Sequence, residues 1–193
     1  MEFFWDVSSP YTYLAWTQLG ALTRTGAAVR YRPFLLGGVF KASGNVAPAV
    51  VPAKGIYLSK DLERWRAHHG VALKLPIAEV TFPINSVLPM RLAAALSAQG
   101  QAEQICAALM RTYWQDGLDV SEPEVLTTML QGMGLDAEAL LAQAGTQPVK
   151  DSLRSASDEA VARGAFGAPT FFVKDQMFFG HDRMHFVQAA LEG

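Results

Sequence analysis

Strand-like sequence in this chain is confined to its two ends, and this distribution limits the folds that it can adopt. Near the start, the apolar run Glu2 to Val7 and the alternating run Ala28 to Pro33 are typical of two strands. Near the end, Thr170 to Val173 and Met177 to Phe179 flank a short polar connection, which predicts a hairpin. The two ends supply β-α-β and β-β-α units that one fold has to combine.

A helix is predicted between the first two strands. Ser8 and Ser9 follow the first strand, and Pro10 suits the first position of a helix that continues towards Gly26. Either serine is a suitable cap for the start of this helix. The whole unit of about thirty residues has the size of a parallel β-α-β crossover.

Helical patterns fill the segment between the two ends. Residues 34–147 show helical spacing and no convincing strand, which predicts an all-helical insertion domain. Within it, Ser121 and Glu124 resemble a capping box, and Asp136 to Ala144 predicts a short helix. Residues 37–55 are rich in glycine, proline and alanine, so we expect a long functional loop there.

The insertion would divide an α/β domain into two parts, 1–33 and 148–193. A helical pattern opens the second part, and a final helix follows the hairpin. Asp182 is positioned to cap this final helix. Its expected apolar face consists of Phe186, Val187, Ala190 and Leu191.

Composition excludes several classes of function. The net charge of −2 argues against a general affinity for nucleic acid. The apolar runs are too short for a membrane span, and no secretory pattern precedes the first strand, so we expect a cytoplasmic protein. The single cysteine, Cys106, can form neither an internal disulfide nor a multi-cysteine zinc site. His68 and His69 have no further ligand at metal-site spacing, so we expect a solvated face and no metal.

Five short motifs stand in order along the chain. They are Phe4-Trp5-Asp6 with Ser9-Pro10-Tyr11, then 40–45, 51–55 and 82–86, and finally 166–172 followed by 180–183. Together they resemble the 2-hydroxychromene-2-carboxylate isomerase family over nearly the whole chain. The resemblance implies a thioredoxin-like fold interrupted by a helical domain, as in kappa-class glutathione transferases and periplasmic disulfide oxidoreductases.

The resemblance also implies a reaction. Glutathione would be the cofactor, and a small aromatic carboxylate would be the substrate. The expected conversion is that of 2-hydroxychromene-2-carboxylate to trans-o-hydroxybenzylidenepyruvate, by reversible addition of the thiolate, in the breakdown of aromatic hydrocarbons. Members of this family are commonly homodimers, which we expect here as well.

Ser9 is the expected catalytic residue. It lies where the related oxidoreductases carry a Cys-x-x-Cys motif, so by the resemblance the reacting thiol comes from glutathione. A free thiol has a pKa of about 8.5, and near neutral pH only a small fraction is thiolate. The start of a helix and the Ser9 hydroxyl would stabilise that anion. No base is adjacent in the sequence, which argues against Ser9 as a covalent nucleophile. Ser8 is a weaker neighbour.

Further glutathione contacts follow from the resemblance. A cis bond between Ala168 and Pro169 would turn the main chain of Ala168 towards the peptide backbone of glutathione. Asp182 would bind the glutamyl end, with Arg183 paired to it or to a carboxylate. Helix capping is the ordinary alternative role for Asp182.

The remaining candidates lie nearer the expected substrate. Asn45 and Lys54 would hold glutathione or the substrate carboxylate, although both residue types are common in solvated loops. Weaker candidates for substrate binding are Pro10, Tyr11, Lys41 and Asn85.

Two alternatives to the isomerase remain open. A kappa-like glutathione transferase or peroxidase would use the same thiolate, so substrate tests are needed to separate the two. A non-catalytic thioredoxin-like binding module would leave the set of Asn45, Lys54 and Asp182 without a purpose. Thiol-disulfide exchange is excluded because the chain has no cysteine pair.

Overall fold

Strands from both chain ends form one mixed sheet. The structure, a computed structural model, describes residues 1–24, 26–74 and 82–193. The sheet has the strand order β2-β1-β3-β4, with β1 parallel to β2, and β3 antiparallel to both β1 and β4. The strands are β1 (Glu2–Trp5), β2 (Arg30–Pro33), β3 (Thr170–Val173) and β4 (Gln176–Phe179). The predicted combination of a β-α-β and a β-β-α unit is therefore confirmed.

Between β2 and β3 the described residues form helices and their connections and contain no strand, as predicted. In the described parts of the chain, 3-10 helices at Pro48–Val50 and, after β4, at His181–Arg183 supplement the α-helices. The boundary of the insertion domain at 34–147 stays a prediction. The α-helices are α1 (Pro10–Thr23), α2 (Leu36–Ser43), α3 (Pro52–His69), α4 (Val87–Ala98), α5 (Ala102–Trp114), α6 (Pro123–Gly132), α7 (Ala137–Ala144), α8 (Gln147–Ala162) and α9 (Met184–Glu192).

Both faces of the sheet are buried. Side chains alternate along a strand, so Phe3 and Trp5 lie on one face and Phe4 on the other. Phe3 belongs to the larger apolar cluster, which includes α1, α4 and α5, and stacks on Phe171 of β3 with ring centroids 5.2 Å apart. Phe4 and Phe172 join a smaller cluster with residues of α2 and α8. The sheet is thus sandwiched between helices.

The long loop predicted at 37–55 is wrong. Helix α2 covers the first half of that range and ends at Gly44, whose φ of 71° is readily adopted only by glycine. A 3-10 helix follows, and α3 already begins at Pro52. Leu36 and Val39 are buried on one side of α2. This burial outweighs the weak helix propensity of the glycines in the segment.

The short helix predicted from Asp136 to Ala144 is confirmed. Asp136 caps α7, because its Oδ1 accepts a hydrogen bond from the backbone N–H of Ala139 at 3.0 Å. The capping box of Ser121 and Glu124 is wrong. The Ser121 hydroxyl donates to the Asp119 carboxylate at 2.6 Å, and α6 begins without a side-chain cap.

The final helix also differs from its prediction in two details. Asp182 does not cap α9, because it lies in the preceding 3-10 helix and pairs with Arg183. Val187 is fully buried, as expected, but Phe186 is 55% exposed. Neighbouring residues of a helix point about 100° apart, and of this pair only Val187 packs in the apolar core.

Cys106 is fully buried in α5, where burial raises the pKa of its thiol. In the parts of the chain that the structure describes, no group of three or more potential ligand side chains is arranged to hold a metal ion. No helix in those parts is long and apolar enough to cross a membrane.

The substitution Phe171→Ala tests whether the face of the sheet that carries Phe171 is packed against helices. We expect Phe171→Ala to lower the free energy of unfolding by about 3–5 kcal/mol, because it empties a packed site. Phe186→Ala is the matched control, and at its exposed position the change should stay within about 0.5 kcal/mol. Urea unfolding monitored by circular dichroism gives both values. Equal losses would contradict the placement of Phe171 in the core.

Candidate active site

The first helix begins at Ser9, as one of the two capping alternatives predicted. The backbone N–H of Thr12 donates to the Ser9 Oγ at 3.2 Å, and Pro10 occupies the first helical position. Ser9 is buried, with 5% of its surface exposed. The partial positive charge of the helix start is therefore concentrated around this hydroxyl.

The Ser9 hydroxyl faces the far end of the chain. It donates a hydrogen bond to the backbone carbonyl of Ala168 at 3.0 Å, across 159 residues of sequence. The peptide bond between Ala168 and Pro169 is cis, as the resemblance implied. A second cis bond, before Pro83, was not predicted from the sequence. Antiparallel pairing of β1 and β3 is what brings these two segments together.

A cavity of about 790 Å³ opens beside this hydrogen bond. Most of the predicted site residues line it, and Ser8 lines it as well. Lys41 is exposed on α2 and Pro169 is buried, and neither belongs to the cavity wall. The predicted residues in the wall are Ser9, Pro10, Tyr11, Asn45, Lys54, Asn85, Ala168, Asp182 and Arg183. A second cavity, of about 650 Å³ between β2, α4, α5 and α8, contains none of them.

Charged groups of both signs line the main cavity. Lys54 lies in the first turn of α3, and Arg183 pairs with Asp182. Asp61, on α3, adds a second carboxylate to the wall. The side-chain amide of Asn45 donates to the Phe166 carbonyl at 2.9 Å, which ties the segment after α2 to the segment before β3. The cavity can therefore receive a ligand that carries charges of both signs.

Asp6 is a buried carboxylate to which sequence analysis assigned no role. Its Oδ1 accepts hydrogen bonds from the Ser8 N–H and hydroxyl, both at 2.9 Å. Its Oδ2 accepts from the Leu36 N–H at 2.8 Å and the Ser86 hydroxyl at 3.0 Å. Burial raises the pKa of Asp6, and these hydrogen bonds oppose the rise. All three partner residues, Ser8, Leu36 and Ser86, line the cavity. The hydrogen bonds of Asp6 therefore join three segments of the cavity wall.

Tyr11 forms a second contact that the sequence did not predict. Its hydroxyl donates to Oδ2 of Asp61 at 2.8 Å, and the Tyr57 hydroxyl donates to Oδ1 of the same carboxylate at 3.3 Å. Burial, followed by the interaction with Asp61, raises the pKa of Tyr11. The contact joins the start of α1 to α3.

His181 completes the wall behind Tyr11. Its ring stacks on the Tyr11 ring at 5.0 Å and meets the Trp65 ring edge-on at 4.5 Å. Burial lowers the pKa of His181 to about 4, although Asp182 partly opposes this shift. The imidazole is therefore neutral near neutral pH. The expected solvated face at His68 and His69 is only partly correct, because His69 is half-buried and stacks on Trp65.

The family model of the DSBA-like thioredoxin domain matches residues 1–192. The chain belongs to this family. Its residues are 36% identical to those of a 2-hydroxychromene-2-carboxylate isomerase of Sphingobium xenophagum, with 99% of this chain and 97% of the relative covered. It is also 30% identical to human glutathione S-transferase kappa 1, with 95% and 87% covered.

A solved structure of a 2-hydroxychromene-2-carboxylate isomerase superposes with a TM-score of 0.89 at 26% identity, over 99% of this chain and 93% of that one. The cytosolic disulfide reductase DsbM of Pseudomonas aeruginosa reaches a TM-score of 0.70 at 20% identity over 99% and 96%, a likeness of fold alone. These findings confirm the thioredoxin-like fold with inserted helices, the resemblance to the isomerase family and the prediction of an enzyme.

The buried His181 is expected to make stability depend on pH. Its pKa is lowered from 6.5 to about 4, so between these values the unfolded chain binds a proton that the folded chain does not. Stability therefore falls as the pH drops through this window. Relative to His181→Gln, the wild type should lose on the order of 3 kcal/mol between about pH 6.5 and pH 4.

Urea unfolding at a series of pH values measures this difference. His185→Gln, at an exposed position in α9, controls for the removal of a histidine as such. Parallel pH profiles of the wild type and His181→Gln would show that His181 is not buried in its neutral form.

Proposed function

We propose that the protein is a glutathione-dependent isomerase that interconverts 2-hydroxychromene-2-carboxylate and trans-o-hydroxybenzylidenepyruvate. The observation that carries this proposal is the Ser9 hydroxyl, buried at the start of α1 and bonded to the main chain of Ala168 at the wall of the large cavity. The single cysteine of the chain, Cys106, is buried in α5 and does not line this cavity. The reacting sulfur therefore has to come from a bound molecule.

The residues of the cavity fit glutathione, which carries two carboxylates, one ammonium group, two peptide bonds and a thiol. Asp182 and Asp61 are suited to the ammonium group, and Lys54 and Arg183 to the carboxylates. Asn45 adds an amide beside them. The main chain of Ala168 is suited to a peptide bond of the ligand.

Ser9 has two tasks in this proposal. Its oxygen caps α1 through the Thr12 N–H, and its proton is held by the Ala168 carbonyl. Rotation of the hydroxyl would redirect its hydrogen bond from the Ala168 carbonyl to a bound sulfur, while its oxygen still caps α1. Bound glutathione would supply a thiolate that can add reversibly to the conjugated double bond of the substrate. The hydroxyl donor and the helix start stabilise that negative charge, without a covalent role for Ser9.

The cavity also suits a flat aromatic acid. Aromatic side chains form part of its lining, which also contains the amide of Asn85 and the cation of Lys54. The aromatic residues of the lining include Phe40, Trp65, Phe82, Phe166 and Phe179. The weak candidates Tyr11 and Asn85 line the cavity, whereas Lys41 does not.

A cytoplasmic location and a homodimer are also part of the proposal. Light scattering tests the dimer.

A kappa-like glutathione transferase is the second candidate function. It is favoured by the similarity to human glutathione S-transferase kappa 1 and uses the same sulfur site. The two functions differ in the fate of the sulfur, which an isomerase returns unchanged and a transferase leaves on its product. A binding module without catalysis has no comparable support.

The deciding assay is the ultraviolet-monitored conversion of 2-hydroxychromene-2-carboxylate by the purified protein. We expect conversion with glutathione and none above background without it, and the glutathione concentration should stay constant. Conjugation of 1-chloro-2,4-dinitrobenzene, measured in parallel, reports transferase activity. Conjugation without isomerisation would replace the first proposal by the second.

Ser9→Ala is expected to lower kcat by about 100-fold, because it removes a donor to the developing charge. It also removes a cap, at a cost of about 1 kcal/mol in stability. Asp136→Ala is the matched control, because it removes a comparable cap from α7. The control should lose similar stability and keep its turnover, as measured by urea unfolding and the isomerase assay. Unchanged turnover in Ser9→Ala would contradict the role of Ser9.

A further inference from the structure

Ser8 and Asp6 connect the cavity to the interior of the protein. Ser8 lines the cavity directly before Ser9, and its hydroxyl donates to the Asp6 Oδ1 at 2.9 Å. Asp6 has no exposed surface. The Ser8 hydroxyl therefore links the cavity, at the residue directly before Ser9, to a buried carboxyl group, and this pair has no task in the function proposed above.

Among the described residues, no cation pairs with the buried carboxyl group of Asp6. Its partners in the described chain are the Ser8 and Leu36 N–H groups and the Ser8 and Ser86 hydroxyls, none of which is charged. Burial is the largest influence on Asp6 and raises its pKa. Asp6 is therefore more ready to take up a proton than an exposed aspartate is.

A thiolate at the start of α1 would add a second negative charge close to Asp6. Two anions that share a poorly solvated site disfavour each other, and the lower-energy arrangement holds one proton between them. The helix start and the Ser9 hydroxyl favour the charge on sulfur. The proton that the thiol gives up is then best placed on Asp6.

We propose that Asp6 accepts the proton of the glutathione thiol, and that the Ser8 hydroxyl transfers it. Ser8 Oγ takes the thiol proton while its own proton passes to Asp6 Oδ1. One S–H bond breaks, one O–H bond forms at Asp6, and the negative charge moves from the carboxylate to the sulfur. No other reactant is needed. This inference rests on the proposed use of glutathione and adds the fate of the proton.

The other titratable groups of the cavity are less suited to this task. His181 resists protonation, because burial lowers its pKa to about 4. Asp61 already accepts hydrogen bonds from two tyrosine hydroxyls, and Asp182 is paired with Arg183. Lys54 and Arg183 are cations. Unlike these groups, Asp6 accepts a hydrogen bond from the hydroxyl of Ser8, the residue directly before Ser9.

Counting protons while the thiolate forms tests the proposal. Glutathione is added to the wild type in weakly buffered solution near neutral pH, with thiolate absorbance and released protons recorded together. We expect thiolate to appear with almost no release of protons. In Asp6→Asn, which keeps a similar shape, about one proton should be released for each thiolate formed.

The kinetics of the same reaction test the role of Ser8. In stopped-flow measurements, Ser8→Ala should slow the appearance of thiolate by about tenfold or more, because the transfer path is broken. Ser86→Ala is the matched control, since it removes a serine from the other oxygen of Asp6. Its rate should stay within about twofold of the wild type. Equal slowing in both serine variants would overturn the relay.

The outcomes separate this inference from the function on which it rests. Thiolate formed by the wild type with one proton released for each would overturn the inference and leave glutathione activation intact. No thiolate in the folded wild type would overturn both. If Asp6→Asn does not fold, difference infrared spectroscopy of the wild type decides. A protonated carboxyl band that appears with glutathione supports the inference, and its absence overturns it.

Discussion

The hydrogen bond between the Ser9 hydroxyl and the Ala168 carbonyl joins the two ends of the chain at the wall of the cavity. It forms because β1 pairs with β3, so that the helix following β1 starts opposite the segment preceding β3. Nearly 160 residues separate the partners in sequence, and the inserted helices close the cavity around them. The sheet thus positions both partners of this hydrogen bond at the cavity wall.

Asp6 joins three segments of the cavity wall through its hydrogen bonds. Its two oxygens hold the turn before α1, the start of α2 and Ser86 before α4 in one arrangement. Burial of a carboxyl group raises the free energy of the folded state unless its oxygens accept hydrogen bonds. Here the two oxygens of Asp6 accept hydrogen bonds from four donors. The same group that orders the wall is a proton acceptor next to the cavity. Structure and chemistry therefore depend on one side chain.

Local patterns predicted the parts of the structure that local physics determines. The strand at Phe3 and Phe4, the Ser9 cap and the helix from Asp136 to Ala144 were all readable from short segments. The helix α2 was missed because burial of Leu36 and Val39 outweighs its glycines. The contacts of Asp6, of Tyr11 with Asp61, and of His181 were not predictable, because each joins segments that meet only after folding. The family motifs indicated the neighbourhood of the site but not these bonds.

In the proposed function, the cavity holds glutathione with its sulfur at the start of α1. A crystal structure of the protein with glutathione would test this placement. We expect the sulfur within hydrogen-bonding distance of Ser9 Oγ, with the peptide backbone of glutathione paired to the main chain of Ala168. A sulfur bound elsewhere, with the Ser9 hydroxyl still donating to the Ala168 carbonyl, would show that the proposed placement is wrong.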